Sequence, residues 1–129
     1  MSKLTLLEAL FVTHFVMDWL FQTQWEAINK SKKWFPLLVH CSIYSIGFIP
    51  VFLWYKINFL WLIFIFISHI ILDSRRFSKW WIKNIKKVKQ DTMSESFYQI
   101  LLIGVDQTLH IVVLALIVIL RILQYFKVK

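Results

Sequence analysis

Four apolar stretches, Leu4–Phe21, Phe35–Tyr55, Ile57–Asp73 and Phe97–Phe126, take up most of this chain, and their length limits the folds open to it. A membrane-crossing helix needs about 20 apolar residues, with roughly 17–25 tolerated. No alternation of apolar and polar residues marks strands, and long continuous runs favour helices, which satisfy their own backbone polar groups. Of the residues 59% are hydrophobic, with only two Gly and two Pro, and the mean hydropathy is +0.65. That is more apolar surface than a water-soluble domain of this size needs. The expected class is all-α: a polytopic membrane protein, one domain over residues 1–129, built as a four-transmembrane-helix bundle. Pro50 is expected to kink the second helix near its far end, and Tyr55-Lys56-Ile57-Asn58 to form a tight turn. The first run carries Glu8, His14 and Asp18, and no small-residue cleavage site follows it, so a cleavable signal peptide is not expected.

Basic residues give the orientation. Lys30, Lys32 and Lys33 lie between the first and second runs, and Arg75, Arg76, Lys79, Lys83, Lys86, Lys87 and Lys89 between the third and fourth. Lys3, Lys56, Arg121, Lys127 and Lys129 fall on the other side. Ten against five places both loops in the cytoplasm and both termini outside. Within Arg75–Lys89 a helical period puts Phe77, Trp81, Ile85 and Val88 on one stripe, with Lys79, Lys83 and Lys86 opposite. This predicts a basic amphipathic helix in the head-group region, between helices 3 and 4, with Trp80 and Trp81 as interfacial anchors. The net charge of +8 is therefore expected to meet anionic lipid head groups rather than nucleic acid. A homo-oligomer is compatible with the composition. One cysteine excludes an intramolecular disulfide framework, and Cys41 is expected to be a packing residue.

All four histidines lie inside apolar runs, and three have an aspartate four residues away: His14 with Asp18, His69 with Asp73, and His110 with Asp106. His40 stands in the second run. Ionisable groups at mid-membrane cost roughly 2.5–3.5 kcal/mol each on insertion scales, so they are rare there and functional by default. Because the helices alternate direction, all seven fall on one side of the bilayer, roughly 5–20 Å from the cytoplasmic helix ends at about 1.5 Å per residue. Residues four apart share a helix face. His14, Asp18 and Gln22 therefore make one polar line, with shorter lines at His69/Asp73, Asp106/His110 and His40/Tyr44, all expected to face into the bundle.

Imidazole and carboxylate suit a divalent metal, zinc in particular. His14, His69 and His110 are the favoured ligands, with His40 as a fourth contributor and Asp18, Asp73 and Asp106 as ligands or general base. Such a centre would activate water for ester or phosphoester cleavage, so the leading expectation is a metal-dependent hydrolase acting on a lipid or lipid-linked substrate at the cytoplasmic leaflet. No nucleophile elbow, phosphate-cradling glycine loop or His-Glu-x-x-His motif is present. Two alternatives accompany this reading: a small transporter handling protons or metal ions, and a non-enzymatic membrane partner whose polar network fixes helix register.

The run His14-Phe-Val-Met-Asp18-Trp-Leu-Phe-Gln22-Thr-Gln-Trp25, followed by Asn29-Lys30-Ser31 and His40, resembles the uncharacterised bacterial membrane family catalogued as domain of unknown function 3307. His69-Ile-Ile-Leu-Asp73 and Asp106-Gln107-Thr-Leu-His110 fit its later motifs, so the resemblance covers nearly the whole chain. It implies a multi-pass protein of the bacterial cytoplasmic (inner) membrane and carries no established activity. It also draws Gln22, Asn29, Lys30 and Gln107 into the candidate site, as substrate contacts or supports for the ligands. Lys30 is expected to be a solvated loop lysine, with a phosphate at the membrane surface as its alternative partner. The His-x-x-x-Asp pairs are similar, more loosely, to those of membrane-bound metal-dependent hydrolases.

Overall fold

The computed structural model describes residues 4–127, and among them every regular element is helical. Lys3 and Lys129, counted in the charge balance, lie outside the described residues. Helix α1 (Leu6–Phe15) starts at a capping box in which Thr5 accepts from the Glu8 amide and Glu8 reaches back to the Thr5 backbone. It does not run on as one regular helix to Phe21. At Val16–Leu20 the backbone widens into a π turn, closed by the bond from Phe21 N–H to the Val16 carbonyl at 3.1 Å. Such single π turns cluster at functional sites. A short helix, α2 (Gln24–Asn29), follows behind a second capping box, Thr23 with Glu26.

The second apolar run forms two helices, α3 (Trp34–Gly47) and α4 (Ile49–Tyr55). The break falls at Phe48 because Pro50, in the first turn of α4, has no N–H to give the preceding turn. At the far end Lys56 adopts a left-handed conformation (φ 51°), and Asn58 caps the next helix by accepting from the Leu60 amide at 2.9 Å. Helix α5 (Leu60–Asp73) thus begins three residues later than the apolar pattern, starting at Ile57, suggests. Arg75, also left-handed (φ 57°), turns the chain sharply into α6 (Arg76–Asn84). A 3₁₀ turn at Gln90–Thr92 leads to α7 (Glu95–Lys127), one unbroken helix of 33 residues.

α5 packs between α3 and α7, α1 lies against α7 and α4, and α6 crosses the ends of α5 and α7. One half of the bundle is a dry core of Leu10, Phe48, Phe52, Ile65, Leu114 and Ile117. Arg121 reaches across this end and donates to the Tyr55 carbonyl at 2.6 Å, satisfying a free C-terminal group of α4. The other half holds the polar side chains. The amphipathic helix is real but shorter and rotated relative to the sequence expectation. Its buried face is Ser78 and Ile82, held over Tyr98 and Leu102, while Trp80 and Ile85 are about half exposed. Ile85 ends the helix and Val88 lies beyond it, so the expected Phe77-Trp81-Ile85-Val88 stripe does not form as one face.

Two helical stretches, Trp34–Tyr55 and Glu95–Phe126, are long and apolar enough to cross a membrane, whereas Leu60–Asp73 is apolar but has 14 residues. Large apolar side chains face outward on the π turn, α4, α5 and α7, among them Leu20, Trp54, Leu60 and Ile100.

Candidate functional site

The four histidines and three aspartates of the apolar runs are all buried and lie toward one end of the bundle. The π turn supplies Asp18, the first half of α3 supplies His40, the end of α5 supplies His69 and Asp73, and the first half of α7 supplies Asp106 and His110. The polar atoms of these six form two adjoining groups.

The tighter group is Asp18, His40, His69 and Asp73. His40 Nε2 stands 3.0 Å from Asp18 Oδ1, 3.0 Å from Asp73 Oδ2 and 3.1 Å from His69 Nε2. His69 Nε2 is in turn 3.2 Å from Asp73 Oδ2 and 3.8 Å from Asp18 Oδ1. A tetrahedral ion with bonds of about 2.0–2.2 Å separates its ligand atoms by roughly 3.3–3.6 Å. Four of the five separations are shorter than that, at 3.0–3.2 Å, and the fifth is longer, at 3.8 Å, so a bound ion would need the side chains to spread slightly.

The second group is Asp73, Asp106 and His110. His110 Nδ1 is 2.8 Å from the backbone carbonyl of Asp106. A carbonyl only accepts, so Nδ1 carries the proton, and in the neutral ring Nε2 is left with its lone pair. That nitrogen is buried without a hydrogen-bond partner, 3.5 Å from Asp73 Oδ1. Two acceptors facing each other in a dry interior call for a cation or proton between them. Ser78 holds the other end of the group by donating to Asp106 Oδ1 at 2.9 Å.

His14 lies outside both groups. Gln107 Nε2 donates to Asp18 Oδ2 at 2.9 Å, which fixes the amide so that its oxygen faces His14 Nε2 at 3.0 Å. His14 Nε2 is then a donor, and Nδ1 accepts from the Tyr44 hydroxyl at 2.8 Å. With both nitrogens engaged, His14 orients its neighbours: Tyr44 stacks on the His69 ring at 3.5 Å between centroids, and Gln107 holds Asp18. The polar line expected along α1 is therefore split at the π turn, with His14 facing Tyr44 and Asp18 facing α3 and α5.

Lys30 is a correction. It is no solvated loop lysine: it is 6% exposed, and its ammonium lies 2.8 Å from Asp73 Oδ2, 3.1 Å from Asp18 Oδ1 and 3.1 Å from His40 Nε2. Burial works to lower its pKa, but the facing carboxylates of Asp73 and Asp18 outweigh that and raise it above the ordinary lysine range. Asn29, by contrast, bonds back to the Trp25 carbonyl and does not reach the cluster, and Gln22 places its buried carbonyl oxygen against no partner. Sequence reasoning missed Glu26 and Ser78. Glu26 is 1% exposed, caps α2 through Thr23 and brings Oε1 within 3.8 Å of His40 Nδ1. The Thr23-x-x-Glu26 capping spacing was the available signal; Ser78 had none.

A helical bundle that gathers these groups from four elements defines a class, a protein with a buried His/Asp/Lys centre. Residues 6–128 match the family described as Protein of unknown function (DUF3307), and the chain belongs to that family. No curated protein and no solved structure matches it.

Proposed function

We propose that this chain is a four-pass membrane protein whose buried cluster holds a divalent metal and hydrolyses a lipid or lipid-linked substrate at the cytoplasmic leaflet. The observation that carries the metal reading is the convergence of buried donor atoms of Asp18, His40, His69 and Asp73 on one point, where the Lys30 ammonium now stands 2.8–3.1 Å from three of the four. The two imidazoles and two carboxylates are the donor set expected for zinc. The outward apolar side chains on α1, α4, α5 and α7 support four passes. At 1.5 Å per residue α5 spans only about 21 Å, and flanking Ile57–Phe59 and Ser74 lengthen it toward the hydrocarbon thickness.

When bound, the metal would lower the pKa of a water and polarise the scissile bond. The chain's own groups have separate tasks. His110, with Nδ1 committed to the Asp106 carbonyl, presents Nε2 as a proton acceptor toward the centre. A void of about 10 Å³ lies between Tyr44, Ser68, His69 and His110, at the lower limit for one water. Lys30 neutralises the carboxylates of Asp18 and Asp73.

The same lysine favours a second reading, an ion-handling network without a resident metal, because its ammonium already serves as counter-ion to Asp18 and Asp73. The test is hydrolysis of phospholipid and polyprenyl-phosphate substrates by protein in mild detergent, with and without chelator. The proposal expects turnover lost on chelation, restored by zinc and absent in His69→Ala. Proton or metal flux in liposomes without any turnover would favour the network instead.

A further inference from the structure

A groove of about 370 Å³ opens beside the cluster, between the α2–α3 loop and the α5–α6 junction. Its floor is Leu37, Ile70 and Ile71, and its rim carries Lys32, Lys33 and Arg76. All three rim cations are exposed, and none has a carboxylate partner among the described residues. Lys30 and Ser74 form the wall that the groove shares with the buried centre: Lys30 bonds to Asp73, and Ser74 is the next residue in the chain. Unpaired cations above an apolar floor are complementary to an amphiphile with an anionic head. The cations come from the α2–α3 loop and the first turn of α6, which converge only in the folded chain, so this charge is placed on the groove rather than spread along one helix.

We propose that this groove binds an anionic membrane phospholipid, its phosphate against Lys32, Lys33 and Arg76 and the start of an acyl chain along Leu37, Ile70 and Ile71. The inference rests on the membrane part of the reading above and extends it, naming where a phosphate-bearing lipid would sit next to Asp73. Lys and Arg together suit a phosphate, Arg through its planar fork and Lys as a point charge. The apolar floor makes the groove distinguish a lipid from free phosphate.

Native mass spectrometry of the full chain in mild detergent tests this with phosphatidylglycerol, phosphatidylcholine and inorganic phosphate as probes. The expected result is selective retention of phosphatidylglycerol that falls more than tenfold in the triple variant Lys32→Gln, Lys33→Gln, Arg76→Gln. A control triple at Lys56, Lys87 and Lys89, exposed and outside the groove, removes the same charge and is expected to change retention less than twofold. Millimolar inorganic phosphate should not displace the lipid. Equal loss in both triples, equal retention of phosphatidylcholine, or full displacement by inorganic phosphate would each overturn the proposal. Metal content measured on the same samples separates the two readings. Protein that holds lipid without metal sinks the metal centre alone, and protein that holds metal without lipid selectivity sinks the groove alone.

Discussion

Lys30 shows best how one residue changes the account of this centre. Removing one partner from a buried ion pair strands the remaining charge and costs about 3–5 kcal/mol. Lys30→Met should therefore destabilise chelator-treated protein by about that amount in denaturant unfolding, because Asp18 and Asp73 lose their shared counter-ion. Added zinc should restore most of the loss, since the metal supplies the missing charge; a loss indifferent to zinc would tell against a metal at this focus. The histidines separate in the same way. His40→Ala should abolish stoichiometric metal, whereas His14→Ala should keep it and lower stability, since His14 touches Tyr44 and Gln107 rather than the focus. Elemental analysis of the two variants checks both outcomes. Which residues would be buried and polar was legible in the sequence, because a histidine or aspartate inside an apolar run has few other places to go. Their ranking was not. His40 reaches Asp18 and Asp73 while both ring nitrogens of His14 are taken up by Tyr44 and Gln107, 30 and 93 residues away in the chain.

Among the elements, the short α2 and the π turn do most to build the site. The capping box at Thr23 and Glu26 ends the irregular stretch after the π turn and directs the chain so that Lys30, one residue past α2, points inward. Thr23→Ala should lower stability by about 1 kcal/mol, the usual worth of an N-cap, with metal content unchanged; unfolding of the paired proteins in detergent gives the comparison. The apolar periodicity located the long helices to within a few residues, and Pro50 marked the break between α3 and α4. It could not show the π turn, because the helical period of His14, Asp18 and Gln22 reads as one face whether or not the backbone widens between them. The rotation of α6 has a similar cause. Ser78 is a small residue that lets the helix approach Asp106, and hydropathy counts it as polar and solvent-facing.

The apolar and ionisable patterns both divide the molecule into halves. A dry core fills the end that contains Phe48 and Phe52, and the charged cluster fills the end beside the basic loops. That polarity, with the surface cations of Lys32, Lys33 and α6 on the cluster side, is what the topology prediction uses. In a Cys41→Ala background, Lys32→Cys and Lys86→Cys should label in intact cells only with a membrane-permeant reagent, and Lys56→Cys with an impermeant one; the reverse pattern would invert the bundle. The account depends most on the focus formed by α3, α5 and the π turn. X-ray absorption of detergent-purified protein loaded with one equivalent of zinc measures it directly. The account predicts a tightly held ion with only nitrogen and oxygen neighbours, two of them imidazole, and its loss in Asp73→Asn. A protein that releases the zinc on desalting, or a spectrum with sulfur scattering from Cys41, would contradict it.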